Sequence, residues 1–178
     1  MSATRSLVHP IMAKIAASGH RWVDTTPANA RNADRIEPIY PNSRVIGVTR
    51  DGRDVATSFV TQKFGPVDVF EALALWERRM LAMHRAQGAS APGRVLTIEL
   101  MDLVTRDRQG TVERICSFLE VPVDRAMVAW FDANVTEAGS NSGRWRSQLD
   151  SPERAQLDRE YGQACDRLIS AGVGIPDP

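Results

Sequence analysis

Cysteine is nearly absent from this chain of 178 residues: Cys116 and Cys165 are the only two. Two cysteines build neither a disulfide framework nor a metal-ligand cluster. Both fall on apolar helical faces, Cys116 among Val112, Ile115 and Leu119 and Cys165 after Tyr161, where a thiol acts as a small core residue. A reducing, cytoplasmic setting follows as the expectation. Net charge is also absent, with 22 basic residues against 22 acidic ones. That excludes broad nucleic-acid or membrane-surface binding, which needs a basic excess, but leaves room for a local anion site. No apolar run reaches membrane-spanning length. Polar residues interrupt the N-terminus throughout, so no signal-peptide core is expected. Repeats, low-complexity tracts and glycine-rich loops are missing too. The length and a near-average composition predict one domain over 1–178 with a core of its own.

What is present is organised around Tyr40 to Lys63. Val45, Ile46, Gly47 and Val48 form an apolar, β-branched run too short for a helix, which predicts a buried strand ending at Arg50. Asp51 and Gly52 are turn residues, and from Arg53 the spacing is helical, with Val55 and Phe59 on one side and Asp54, Ser58 and Thr61 on another. Arg50 therefore stands at the carboxyl end of a strand, where open α/β sheets bind ligands. Its planar fork of donors matches a phosphate, and the helix start adds free N–H groups and a positive dipole end. Two readings stand side by side: Arg50 and Ser58 grip an anion, or Arg50 pairs with Asp51 or Asp54 while Ser58 packs its helix.

Other elements follow from spacing. Ser6 to Ser18 reads as a helix, Arg21 to Asp24 as a short strand, and Ala28 to Ile39 as a helix with Ala33, Ile36 and Ile39 inward. Asp68 and Glu71 open a long helix whose stripe is Val69, Leu73, Trp76, Met80 and Met83, ending near Gly88, with His84 outside the stripe. Val95 to Ile98 is the next strand and Glu99 closes it, with a capping or ion-pair role. Thr111 to Leu119 and Asp124 to Ala133 read as helices. Ser140 to Gly143 is a loop, and Ser151-Pro152-Glu153 opens a last helix with Leu157, Tyr161, Cys165 and Leu168 inward and Gly172 at its end.

The segment Arg50-Asp51-Gly52-Arg53-Asp54-Val55-Ala56-Thr57-Ser58, behind its strand and Tyr40-Pro41-Asn42-Ser43-Arg44, resembles the 3′-phosphate-binding segment of sulfotransferases that use 3′-phosphoadenosine-5′-phosphosulfate (PAPS). By residue match, Arg50 and Ser58 are the residues that hold the 3′-phosphate; the family usually has Pro where this chain has Gly52. Trp22-Val23-Asp24-Thr25-Thr26-Pro27 is similar to a preceding family segment, with Thr25 in place of a Lys. Ile98 to Leu103 and Cys116 to Val121 resemble a Tyr-Glu-Asp-Leu-like segment and a Phe-Leu-Gly-like helix end. Gly143, Arg144 and Trp145 resemble the family's Gly-x-Trp-(Lys/Arg) loop, which closes over the nucleotide; an Arg-Lys-Gly that often precedes it is here Ala138-Gly139-Ser140. The alternative for this loop is that Trp145 anchors it in the core with Arg144 and Arg146 solvated.

The resemblance implies an α/β fold of the PAPS sulfotransferase type, P-loop-NTPase-like, with three αβα layers and a mostly parallel sheet. It covers about residues 20–170 and lacks the N-terminal loop of the Ser-Gly-Thr-Thr type that cradles the 5′-phosphosulfate, so the fold is expected to be N-terminally incomplete. The implied activity is sulfuryl transfer from PAPS, without a metal, to a hydroxyl of a small-molecule, lipid or carbohydrate acceptor. The chain either acts alone, forms a homo-oligomer or receives the missing segment from elsewhere. A second reading is a non-catalytic remnant or partner subunit that keeps only the 3′-phosphoadenosine site. A kinase-like domain fares worst, since no Walker-type loop exists. His20 and Asp24 lie nearer the expected site than His9 and His84, but none is assigned as the general base.

Overall fold

The computed structural model describes residue 10 and residues 21–63 and 65–176. The expected helix from Ser6 to Ser18 falls outside them, apart from Pro10. Strand β1, Val45–Thr49, runs parallel to β2, Val95–Glu99, in the register Val45↔Val95 through Thr49↔Glu99. Parallel neighbours need a long crossover, and here helices supply it. They are α2, Gly52–Val60, and α3, Val69–Ala89. A short α1, Ala33–Ile36, follows the 3₁₀ turn Ala30–Asn32 before β1. After β2 come a π-helical segment, Asp102–Arg106, and α4, Arg108–Leu119. The chain ends in α5, Arg125–Asn134, α6, Glu137–Ser140, α7, Trp145–Gln148, and α8, Ser151–Ser170. The result is the expected mixture of helices with a small parallel sheet.

Helix α3 is the central pillar. The Asp68 carboxylate caps it, accepting from the N–H groups of Phe70 and Glu71 at 2.8 Å each. Val69, Leu73, Trp76 and Met80 are buried as their spacing predicts, and His84 is exposed. The main core joins this stripe to Ala56 of α2, to Trp145 and to Leu157, Tyr161, Cys165 and Leu168 of α8. The rings of Trp76 and Tyr161 meet at 5.4 Å, tilted by 43°. A smaller cluster of Ala33, Val45 and Ala86 fixes α1 and β1 against the end of α3. Cys116 is buried as well.

Three expectations need correction. Arg21 to Asp24 is not a strand. The Asp24 carboxylate accepts from the Thr26 N–H at 2.8 Å, a local turn that competes with strand pairing, and the side chain of Thr26, followed by this N–H, lowers its pKa. Trp22 stands edge-on to Tyr40 at 5.6 Å instead of entering a ladder. The helix expected over 28–39 is only Ala33–Ile36 after its 3₁₀ turn, because Pro38 has no N–H with which to continue it. The cap of α8 is Asp150, which accepts from the Glu153 N–H at 2.9 Å, so Ser151 is already helical. Glu99 closes β2 in an ion pair with Arg106.

Candidate anion site at the end of the first strand

Arg50 leaves β1 at its carboxyl end. Asp51 then caps α2, accepting from the Arg53 N–H at 2.8 Å. Gly52 is the first helical residue, and the approach there is close: a Cβ on it would lie 2.7 Å from two indole carbons of Trp76. That contact accounts for glycine where the resembled family usually has proline.

The next two side chains face the C-terminal third of the chain. Arg53 is buried between the rings of Trp145 and Tyr161, with its guanidinium carbon 4.5 and 4.3 Å from their centroids. Its nitrogens reach Asp51, at 2.6 Å for the shortest bond, and Asp158. Burial pulls the Arg53 pKa down, but bonds and charge from Asp51 and then Asp158 outweigh it and hold the pKa above the ordinary arginine value. Burial raises the Tyr161 phenol, and the Asp51 charge raises it further.

Asp54, only 3% exposed, accepts from one loop three times over. Its Oδ2 takes the Gly143 N–H at 2.8 Å and the Ser142 hydroxyl at 3.5 Å; its Oδ1 takes the Trp145 N–H at 3.4 Å. The same Oδ2 lies 3.3 Å from Arg50 Nη2. Arg50 Nη2 donates in turn to the Asn141 carbonyl at 2.6 Å, while Arg50 Nε is buried without a partner. Positive φ angles at Asn141 (58°) and Gly143 (74°) curl the loop around the carboxylate. So the Arg50–Asp54 pairing foreseen as one alternative exists, and it comes with a loop attached.

Ser58 lies one helical turn beyond Asp54 on the same face and is exposed. Gly143 gives its N–H to Asp54. Arg144 is exposed, and among the described residues its guanidinium has no partner. Trp145 does not sit in an open loop: it begins α7 and is buried, 4% exposed. Arg146 stacks on its ring at 4.7 Å. The Ala138-Gly139-Ser140 stretch lies in α6, where Thr136 Oγ1 accepts from the Gly139 N–H at 3.2 Å. Asp24 is exposed, and His9 and His20 lie outside the described residues.

Two open clefts are present, the second reaching Trp145 of the expected closing loop. One of about 380 Å³ runs between α3 and α8, walled by the Arg167–Glu77 ion pair. The other, about 430 Å³, is lined by Trp145, Arg146, Arg154 and Asp158. Arg50 and Ser58 line neither, so the case for a site at β1 rests on donor chemistry rather than on concavity. Spacing did not reveal the roles of Arg53 and Asp54. Asp54 was in view only as an ion-pair partner four residues from Arg50, and Arg53 carried no local signal because its aromatic neighbours are remote in sequence.

A family model described as "Sulfotransferase family" matches residues 1–125, well over half of the chain. The chain belongs to the sulfotransferase family. A Caenorhabditis elegans protein, named as a candidate protein-tyrosine sulfotransferase, is 24% identical over 131 residues, 71% of this chain. The aligned stretch spans half of that relative's length. The solved sulfotransferase domain from the curacin biosynthetic pathway matches with a TM-score of 0.67 and 20% identity, over 97% of this chain and 69% of that one. At this identity the structural match speaks for the sulfotransferase fold alone. Among the described residues no helix is long and apolar enough to cross a membrane, and no group of three or more His, Cys, Asp or Glu could hold a metal ion.

Proposed function

We propose that this sulfotransferase moves a sulfuryl group from PAPS to a hydroxyl acceptor, with Arg50 and Ser58 holding the 3′-phosphate of the donor and Gly143, Arg144 and Trp145 forming the loop that closes over it. The observation that carries the reading is Arg50 itself. It stands at the carboxyl end of a parallel strand, beside a helix start, with a buried Nε that has no partner and only Nη2 engaged. A guanidinium with unused donors in that position fits a phosphate. Ser58, exposed one turn along α2, is free to add a hydroxyl, and Arg144 is free to add a charge.

The donor supplies the activated sulfuryl group. The residues of this chain would bind and orient its nucleotide, since an in-line displacement asks the protein mainly for positioning and charge stabilisation, by analogy with phosphoryl transfer. Small molecules, lipids and carbohydrates are the acceptor classes to screen, and the name of the nematode relative adds the tyrosine hydroxyl of a peptide.

The test is calorimetric titration of the purified chain with 3′-phosphoadenosine-5′-phosphate (PAP), beside Arg50→Ala. The wild type is expected to bind in the micromolar range, with binding lost in the variant. A folded wild type that does not bind overturns the assignment. Binding without transfer from labelled PAPS to any acceptor class would favour the non-catalytic reading instead.

A further inference from the structure

We infer that Asp54 is a positioning residue that couples the grip of Arg50 on a phosphate to the placement of the 141–145 loop; the inference rests on the nucleotide reading above. The Asp54 carboxylate is almost fully buried, and its three hydrogen-bond donors all come from the loop: Gly143 N at 2.8 Å, Trp145 N at 3.4 Å and Ser142 Oγ at 3.5 Å. The N–H groups of Gly143 and Trp145, in a loop curled by positive φ, make a concavity suited to an anion, and in this protein the anion is a side chain of the neighbouring helix. Its ion-pair partner, Arg50 Nη2 at 3.3 Å, donates to the Asn141 carbonyl at 2.6 Å. Arg50 is thus fixed from both sides by Asp54 and by the loop that Asp54 holds. A change in either reaches the other through this one carboxylate.

The opposite role is competition, in which Asp54 neutralises Arg50 and weakens its hold on any external phosphate. The two roles give opposite signs in Asp54→Asn. A positioning residue predicts weaker phosphate binding in the variant, and a competitor predicts tighter binding. The distances favour positioning, because the short bond of the carboxylate goes to Gly143 N rather than to Arg50.

The experiment measures two things in wild type and Asp54→Asn. The first is amide hydrogen exchange at Gly143 and Trp145. The second is affinity for PAP and for adenosine 5′-monophosphate, which lacks the 3′-phosphate. Hydrogen bonds to a charged group set the scale, so exchange at both amides should quicken, and PAP affinity should fall, about tenfold or more. Affinity for the monophosphate should fall much less than that for PAP, since a merely structural lesion would weaken both nucleotides alike. Gly143→Ala, which strains the loop at φ 74° and leaves the Asp54 side chain intact, should also weaken PAP and guards against a variant that fails to fold. Unchanged exchange, or a PAP preference kept or increased in Asp54→Asn, overturns the coupling. A wild type with no preference for PAP overturns the nucleotide reading and the coupling with it.

Discussion

Replacing Gly52 tests the tightest packing in the neighbourhood of the site. The residue is first in α2, a position that favours proline, and the ψ of 124° at Asp51 before it suits a residue that precedes proline. Nothing in the backbone forbids alanine or proline there. The obstacle is Trp76, 4% exposed, whose Cδ2 and Cε3 atoms stand 2.7 Å from where a Cβ would lie. An indole locked in a core cannot swing aside as a flexible chain would. Two terms oppose each other in Gly52→Ala. The loss of unfolded-state freedom favours the variant by about 0.4–1 kcal/mol. Overpacking costs about 1–3 kcal/mol and prevails. The net expectation is a loss of about 1–2 kcal/mol, or roughly 2–8 °C in Tm for a chain of this size. Gly52→Pro should behave alike. In a Trp76→Leu background the clash is gone, so Gly52→Ala should become neutral or stabilising, giving a coupling of about 1–3 kcal/mol in a double-mutant cycle. Urea denaturation of the four proteins reads this directly. A Gly52→Ala variant as stable as the wild type, or a cycle without coupling, would refute the argument that Trp76 dictates glycine.

The other predictions concern the surroundings. Arg53→Ala should lose about 3 kcal/mol in urea unfolding, because it removes two ring stacks and leaves the half-buried Asp51 without its cation. Arg53→Met, which keeps the packing but not the charge, should fall between it and the wild type. Asp158 contributes little to that sum, being 56% exposed. Cys165 should resist alkylation in the native protein at neutral pH and react fully after unfolding, since burial raises its thiol pKa and shields it. Mass spectrometry after a timed iodoacetamide pulse checks it, with rapid native labelling as the contrary result.

Much of the fold was legible because it is written locally. The β-branched run of β1, the three-and-four spacing of α3 and the stripe of α8 need no distant partner to be read. Arg21 to Asp24 misled because Trp22 and Val23 look like strand residues while Asp24 makes a turn with Thr26. Pro38 stood in plain view and ends α1 for a reason the sequence contains. The site divides in the same way. Arg50 could be placed from its strand alone, and the Gly-x-Trp resemblance pointed to Gly143 and Trp145. The role of Asp54 could not be read, since its loop donors lie 88 to 91 positions along the chain. Nor could Trp145 and Tyr161, which sandwich Arg53, be foreseen from the neighbours of Arg53 in sequence.

The clasp between Asp54 and residues 142–145 has a consequence for how the protein is made. Asp54 leaves the ribosome long before residues 142–145, and the stretch matched to the family model stops at residue 125, before those loop residues. A partly synthesised chain therefore carries the strand, turn and helix around Arg50 with the clasp still open. Closing a loop of nearly ninety residues is entropically costly, but the cost grows slowly with length, and the burial of Trp145 in the main core helps to offset it. Any ligand that requires the clasped Arg50 will bind only the finished chain and, by mass action, stabilise that state alone.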